Sequence, residues 1–158
     1  MTQTRCDGNL SYENRFHLAF GAQEFWGLET KAIDVTLPAV VIGATQQPTS
    51  VRPVWIPGDS IDLGDVNVTF LVDEDWTNYL RVIQWAQRTR NFDKVDLERV
   101  VTDMTIVLLD TKFKEAMSLT CRDCFPYSVS EVFLNQQVSS AEALRFLVTF
   151  KINGVDYE

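Results

Sequence analysis

The sequence predicts a mainly β, α+β chain: an antiparallel β-sandwich or barrel with one flanking α-helix. Three observations predict it. Val66, Val68, Phe70 and Val72 alternate with Asn67, Thr69 and Leu71, as a half-buried strand requires. Phe146, Val148, Phe150 and Ile152 alternate in the same way near the end of the chain. Between them one segment, starting at Asp73, changes from a period of two to about three and a half.

Taken in order, Phe16, Leu18 and Phe20 alternate with His17 and Ala19, and Gly21-Ala22-Gln23 turns the chain into Phe25-Trp26-Gly27-Leu28. That pattern predicts a hairpin. A third strand is expected from Ile33 to Leu37. The region from Pro38 to Pro57 then holds four of the five prolines, together with Val40, Val41, Ile42, Val51, Val54, Trp55 and Ile56. A connection of this length inside a compact domain reaches a partner, covers a site or lacks order, and its apolar content argues for an extended arm ordered against something else. Pro57-Gly58-Asp59 reads as a break before the strand at Val66.

The helix is expected from Asp73, which can cap the first-turn N–H groups, with Glu74 and Asp75 beside it where the helix dipole favours negative charge. Trp76, Tyr79, Leu80, Ile83 and Ala86 form the expected apolar stripe, and Arg88 and Arg90 complement the C-terminal end. Asn91 to Val101 reads as a charged connection. Met104 to Leu109 is so continuously apolar that both faces of that strand should be covered. Lys112 to Cys121 signals a further strand pair, which Phe125-Pro126-Tyr127 should end. Ser139 and Glu142 match a capping box, but the alternation from Phe146 outweighs it and a strand is expected. Asn153-Gly154 is a strong turn signal with too few residues after it for a return strand. The count is some seven short strands and one helix, in one domain spanning 1–158.

A chain of 158 residues with 46% hydrophobic and 23% charged residues is long enough to bury a core without staples. No apolar run approaches the roughly 20 residues of a membrane span, and the N-terminus lacks the apolar core of a signal peptide, so a soluble protein made in a cytosol is expected. Asn9-Leu10-Ser11 and Asn67-Val68-Thr69 are then chance sequon matches. Net charge is −8, and between Arg52 and Arg81 lie six carboxylates with no Lys or Arg. Such a surface does not grip a phosphate backbone, which needs clustered cations.

The chain offers little assembled chemistry. Cys121-Arg122-Asp123-Cys124 has the spacing of zinc knuckles and thiol oxidoreductases, yet beyond this pair only Cys6 and the single histidine, His17, could complete a metal site. A thiol or zinc module on Cys121 and Cys124 is therefore the alternative reading, and two ordinary thiols the simpler one. His17 has no nucleophile motif to pair with. Asp59, Asp62 and Asp65 are spaced by three rather than by the two of a calcium loop and read as a solvated loop. Helix capping accounts for Asp73, Glu74 and Asp75 without a paired-carboxylate site. No catalytic residue, cofactor site or metal site is expected, and no enzyme.

The pattern resembles the tube proteins of contractile phage tails, together with the related tubes of pyocins and type VI secretion. The resemblance spreads over most of the chain: Asn14-Arg15-Phe16-His17-Leu18, Ala32 to Ala39 entering the long arm, Ile56-Pro57-Gly58-Asp59, Val68 to Glu74 running into the helix that reaches Ile83-Gln84-Trp85, and Phe146 to Phe150. Its most specific parts are the strand entering Asp73-Glu74 and the tryptophan Trp85, with Trp76 between them. The resemblance implies a small β-sandwich or barrel in six-fold rings, stacked into a hollow tube inside a contractile sheath. The arm from Val40 to Ile56 would reach a neighbouring subunit, and strands of adjacent copies would close a large barrel. Implied partners are further copies, the sheath, and baseplate hub and tail terminator proteins. DNA would pass a lumen with no specific binding, with Asp62 and Asp65 as candidate acidic lining. The implied location is a virion tail assembled in the host cytoplasm, with no membrane anchor. A baseplate, tube-initiating or tube-terminal ring shares the same fold and is the alternative that the resemblance leaves open. The cysteines and the connection from Arg88 to Val101 depart from the family's pattern.

Overall fold

The computed structural model describes residues 13–90, 100–137, 139 and 142–158. Cys6, the Asn9-Leu10-Ser11 sequon and the charged connection as far as residue 99 lie outside the described residues. In chain order the elements are β1 (Phe16–Phe20), a 3-10 turn (Gln23–Phe25), α1 (Trp26–Glu29), β2 (Ala32–Thr36), β3 (Val40–Gln47), β4 (Val54–Leu63), β5 (Val66–Leu71), α2 (Thr77–Arg90), β6 (Thr102–Leu109), β7 (Glu115–Val129), β8 (Arg145–Lys151) and β9 (Gly154–Tyr157). All strand pairings are antiparallel. The fold is thus mainly β with one long helix, as the alternation predicts.

Strand β7 organises the body. Its first half pairs with β6 and β9, its second half with β8, so that β1-β6-β7-β9 and β7-β8-β5-β2 form two sheets sharing one strand. Pro126 was expected to end this strand and instead lies buried within it. Its position explains the tolerance: Cys124 is still paired with Thr102 of β6, whereas Phe125 already pairs with Lys151 of β8. Past the switch β7 is an edge strand, where a missing N–H breaks no ladder.

The inward faces follow the sequence alternation closely. Val66, Val68 and Phe70 of β5 and Phe146, Val148 and Phe150 of β8 are fully buried, together with Leu18, Phe20, Met104, Ile106 and Leu119. The outer face of β6 is only partly covered, so the expectation that both faces of 104–109 are sealed is corrected: Thr105 and Val107 are half-buried, beside half-buried Thr120 and buried Ser118 of β7.

Trp85 closes the core from the helix side. Its ring stacks on Phe25 at 4.2 Å and meets Phe20 and Phe150 at 6.2 and 5.6 Å, while Nε1 donates to the Val100 carbonyl at 2.6 Å. This cluster explains why no hairpin forms between Phe16 and Leu28. Phe25 and Leu28 gain more by entering the core through the 3-10 turn and α1 than by pairing with β1, whose ladder is taken by β6.

The helix begins four residues later than expected. Asp73 does not cap it; its carboxylate pairs with Lys31 at 3.1 Å, and Asp75 accepts from the Thr77 N–H at 3.3 Å. The buried residues are Asn78, Val82 and Trp85, a stripe rotated from the expected one, with Leu80 exposed and Tyr79, Ile83 and Ala86 at its flanks. The reason is Asn78, a polar residue that hydropathy places outside. Its Oδ1 accepts from the Asp73 N–H at 3.0 Å and its Nδ2 donates to the Leu71 carbonyl at 2.5 Å, fastening the helix to the end of β5.

Two further corrections concern the chain's turns. Asn153-Gly154 does lead into a return strand, β9, because those four residues add to the existing β7 ladder rather than to β8. With β9, and with β3 and β4 described below, the strands number nine among the described residues rather than seven.

Candidate assembly interface

The region read as an arm is a regular hairpin, β3 and β4, forming a two-stranded sheet apart from the main one. Val40 pairs with Leu63, Val41 with Asp62, Ile42 with Ile61, Thr45 with Ile56, Gln46 with Trp55 and Gln47 with Val54. It is longer than expected and corrects two expectations. Pro57-Gly58-Asp59 is no break, and Asp59 and Asp62 sit on β4 rather than in a solvated loop. A shift in register between Ile42 and Ala44 absorbs Pro57. A Cβ at Gly58 would lie 2.9 Å from the Gly43 carbonyl oxygen, so the strands approach there only because residue 58 carries no side chain.

The hairpin is fixed at both ends. At its root the Gly64 N–H donates to the Ala39 carbonyl at 2.7 Å, and Asp65 pairs with Lys151 at 2.8 Å. That carboxylate holds the Lys151 amine above the ordinary lysine range. At the tip the Arg52 N–H donates to Thr49 Oγ1 at 3.2 Å, and the Thr49 hydroxyl donates back to the Arg52 carbonyl.

Between those ends the side chains meet solvent on both faces. Val40, Val41, Ile42, Val54 and Ile56 are exposed, Trp55 by 67%, Ile61 by 65% and Val51 by 91%. A lone two-stranded hairpin is marginal in water, and a contiguous exposed apolar surface marks an interaction site. The residues named from sequence as the arm's contact set, Val40, Val41, Ile42, Val51, Val54, Trp55 and Ile56, are thus brought onto one protruding element. Ile61 belongs with them. Sequence reading missed it because the proline and glycine at 57 and 58 hid the alternation that continues through β4.

The other candidates are dispersed. Asp62 is exposed on β4, whereas Asp65 is engaged with Lys151 at the hairpin root. Asp73, Trp76 and Trp85 belong to the body, where Trp76 packs edge-on against Tyr79 at 5.6 Å. Cys121 and Cys124 are buried free thiols on β7, the Cys124 sulfur donating to the Cys121 carbonyl at 3.2 Å. The adjacent Cys121 thiol first, and burial second, hold Cys124 far above the ordinary thiol range. His17 is exposed on β1 opposite Val107. Among the described residues no three His, Cys, Asp or Glu side chains come together as a metal site, and no helix is long and apolar enough to cross a membrane.

No protein family matches the chain by sequence, and no curated protein does. Solved structures do match by fold. A chain of the sheath-tube complex of the extracellular contractile injection system PVC, in its extended state, aligns with a TM-score of 0.69 at 15% identity over 96% of this chain and 93% of its own. A chain of the anti-feeding prophage cap structure, the cap that terminates its tube, aligns with a TM-score of 0.69 at 15% identity, over 100% of this chain and 99% of its own. Hcp1 from Salmonella typhimurium aligns with a TM-score of 0.51 at 10% identity, over 94% and 86%. The chain therefore has the fold of contractile-injection tube proteins, across its whole length.

Proposed function

We propose that this chain is a structural subunit of a contractile injection tube, in which six copies close into a ring, rings stack, and the β3–β4 hairpin seats on a neighbouring copy. The observation that carries this reading is the hairpin itself: a fixed, two-faced apolar element that its own chain leaves bare, on a fold shared with tube and cap proteins. Burying it against a second copy removes that surface from water, and contact between different patches of like subunits closes into rings or extends into filaments. The same reading supplies the partners: a sheath around the tube, and baseplate hub and terminator proteins at its ends.

In a phage tail the lumen would pass DNA without binding it. The net charge of −8 supports this, since like charge keeps a phosphate backbone from adhering, and Asp62, exposed on the hairpin, is a better lining candidate than the paired Asp65. The protein would then belong to a virion tail assembled in the host cytoplasm. A terminal or baseplate ring is the second reading, favoured by the full-length likeness to a tube-terminating cap. A thiol or zinc module has less support, because Cys121 and Cys124 are inside the body.

Negative-stain imaging of the purified chain over a range of concentrations tests the proposal. Rings or tubes are expected; single rings that never stack point to the terminal-ring reading; a compact monomer at high concentration overturns both.

A further inference from the structure

The turn joining β6 to β7 holds an exposed aromatic ring in a backbone conformation that aromatic residues avoid. Phe113 has a φ of 60°, in the left-handed region where a bulky side chain is disfavoured and glycine is the usual occupant. The Phe113 N–H donates to the Asp110 carbonyl at 3.1 Å and the Asp110 N–H to the Lys114 carbonyl at 2.8 Å. This is a three-residue hairpin loop, a type I turn followed by one left-handed residue. The fold asks only for glycine there, since the Phe113 ring is 70% exposed and lies outside the core cluster.

The two other non-glycine residues with positive φ among the described residues have local reasons. Trp76 packs against Tyr79, and Asp123 lies at the shift in the β6–β7 register, its N–H donating to the Asp103 carboxylate at 3.0 Å. Phe113 has instead a rigid mount. Asp110 Oδ1 accepts from the Lys112 and Lys114 N–H groups at 2.7 and 2.9 Å, which turns that carboxylate onto the backbone. Arg15 donates to the Asp110 carbonyl at 2.9 Å and places its guanidinium 4.5 Å from the Phe113 ring centre. The result is an aromatic tip ringed by Arg15, Lys112 and Lys114, against Asp110 and Glu115, on a chain that is otherwise strongly acidic. Strain kept at an exposed position points to a role outside the folded monomer.

The β3–β4 hairpin offers the complementary surface: exposed Ile42, Trp55 and Ile61 share a face with the exposed carboxylate of Asp59. In the single chain both surfaces are bare. We infer that the Phe113 turn is a preformed docking tip whose ring inserts among the apolar side chains of the hairpin of a second copy, with Lys112 and Lys114 set against Asp59 of that copy. The inference rests on the assembly reading and names the receptor of the hairpin. It makes the contact head-to-tail, because two different patches of one chain meet, and charge complementarity fixes its register.

The test uses the full chain, followed by sedimentation velocity and negative-stain imaging across concentration. Phe113→Gly relieves the strained φ, so its monomer melts no lower than the wild type, while the concentration at which half the chain is assembled rises by about tenfold or more, as for loss of an aromatic anchor. Lys112→Glu with Lys114→Glu raises that concentration as well, and adding Asp59→Lys in the same chain brings it back toward the wild-type value. If the glycine and double-glutamate variants both assemble at the wild-type concentration, the docking tip is overturned and the assembly reading stands. Weakening that the added Asp59→Lys does not reverse overturns the hairpin as receptor. A wild-type chain that never assembles overturns inference and reading together.

Discussion

The amide of Asn78 donates to the Leu71 carbonyl at 2.5 Å, and its oxygen accepts from the Asp73 N–H at 3.0 Å. One nearly buried polar side chain thereby satisfies two backbone groups where β5 leaves its sheet and the chain turns into α2. Asn78→Ala leaves both without a partner in a place water reaches poorly. The expected loss is about 1–3 kcal/mol, read as a lower midpoint in urea unfolding. Asn78→Asp keeps the acceptor but loses the donor to Leu71, and should also destabilise.

Trp85 joins the helix to both sheets through Phe25, Phe20 and Phe150, and its indole N–H satisfies the Val100 carbonyl. Trp85→Ala should cost on the order of 3–5 kcal/mol by opening a cavity at the centre of the core. Trp85→Phe should cost less, since much of the packing is kept and the hydrogen bond is lost. Equal losses in the two variants, measured by chemical denaturation, would place the stabilisation in the hydrogen bond rather than in the packing.

Strand alternation was legible wherever one face was buried, as Val66 to Leu71 and Phe146 to Phe150 show. Three kinds of residue obscured the rest. Asn78 and Trp76 misled the helix start, because a buried polar side chain and a left-handed tryptophan both run against hydropathy. Pro57 and Pro126 read as breakers although each sits where a proline costs no ladder bond, one at a register shift and one at a change of partner strand. The exposure of the arm's apolar residues was legible because seven apolar side chains in a proline-rich stretch have no partner strand of the body to bury them. Phe113 was not, since only the backbone conformation reveals that a phenylalanine occupies a glycine position.

The cysteine pair gives a dependence on pH. Cys124 is held neutral in the folded chain, so its folded pKa lies above the ordinary thiol value of about 9. A raised value contributes stability below the unfolded pKa, and this is lost as pH rises past it, because the unfolded chain releases a proton that the folded chain keeps. Stability should therefore fall as pH climbs above about 9, by up to about 1.4 kcal/mol per pH unit for one such group. Cys124→Ala should flatten that slope in unfolding curves taken at successive pH values. In a Cys6→Ser background, a thiol reagent should label Cys121 and Cys124 only as fast as the chain opens.

The hairpin's apolar side chains face water in the single chain, so removing its tip should cost the monomer little and the assembly much. Deleting Pro48 to Pro53 leaves the paired core of β3 and β4 free to close with a shorter turn, while it removes the fully exposed Val51 and the Thr49–Arg52 clasp. Replacing Ile61 with Asp leaves the backbone intact and puts a charge opposite Ile42. Both variants should keep the wild-type circular dichroism spectrum, with unfolding free energies within about 0.5 kcal/mol as for surface changes. Both should sediment as smaller species than the wild type at equal concentration, because a carboxylate taken into an apolar contact loses its hydration without a partner. A large loss of monomer stability in either variant would instead show that these side chains are buried within their own chain.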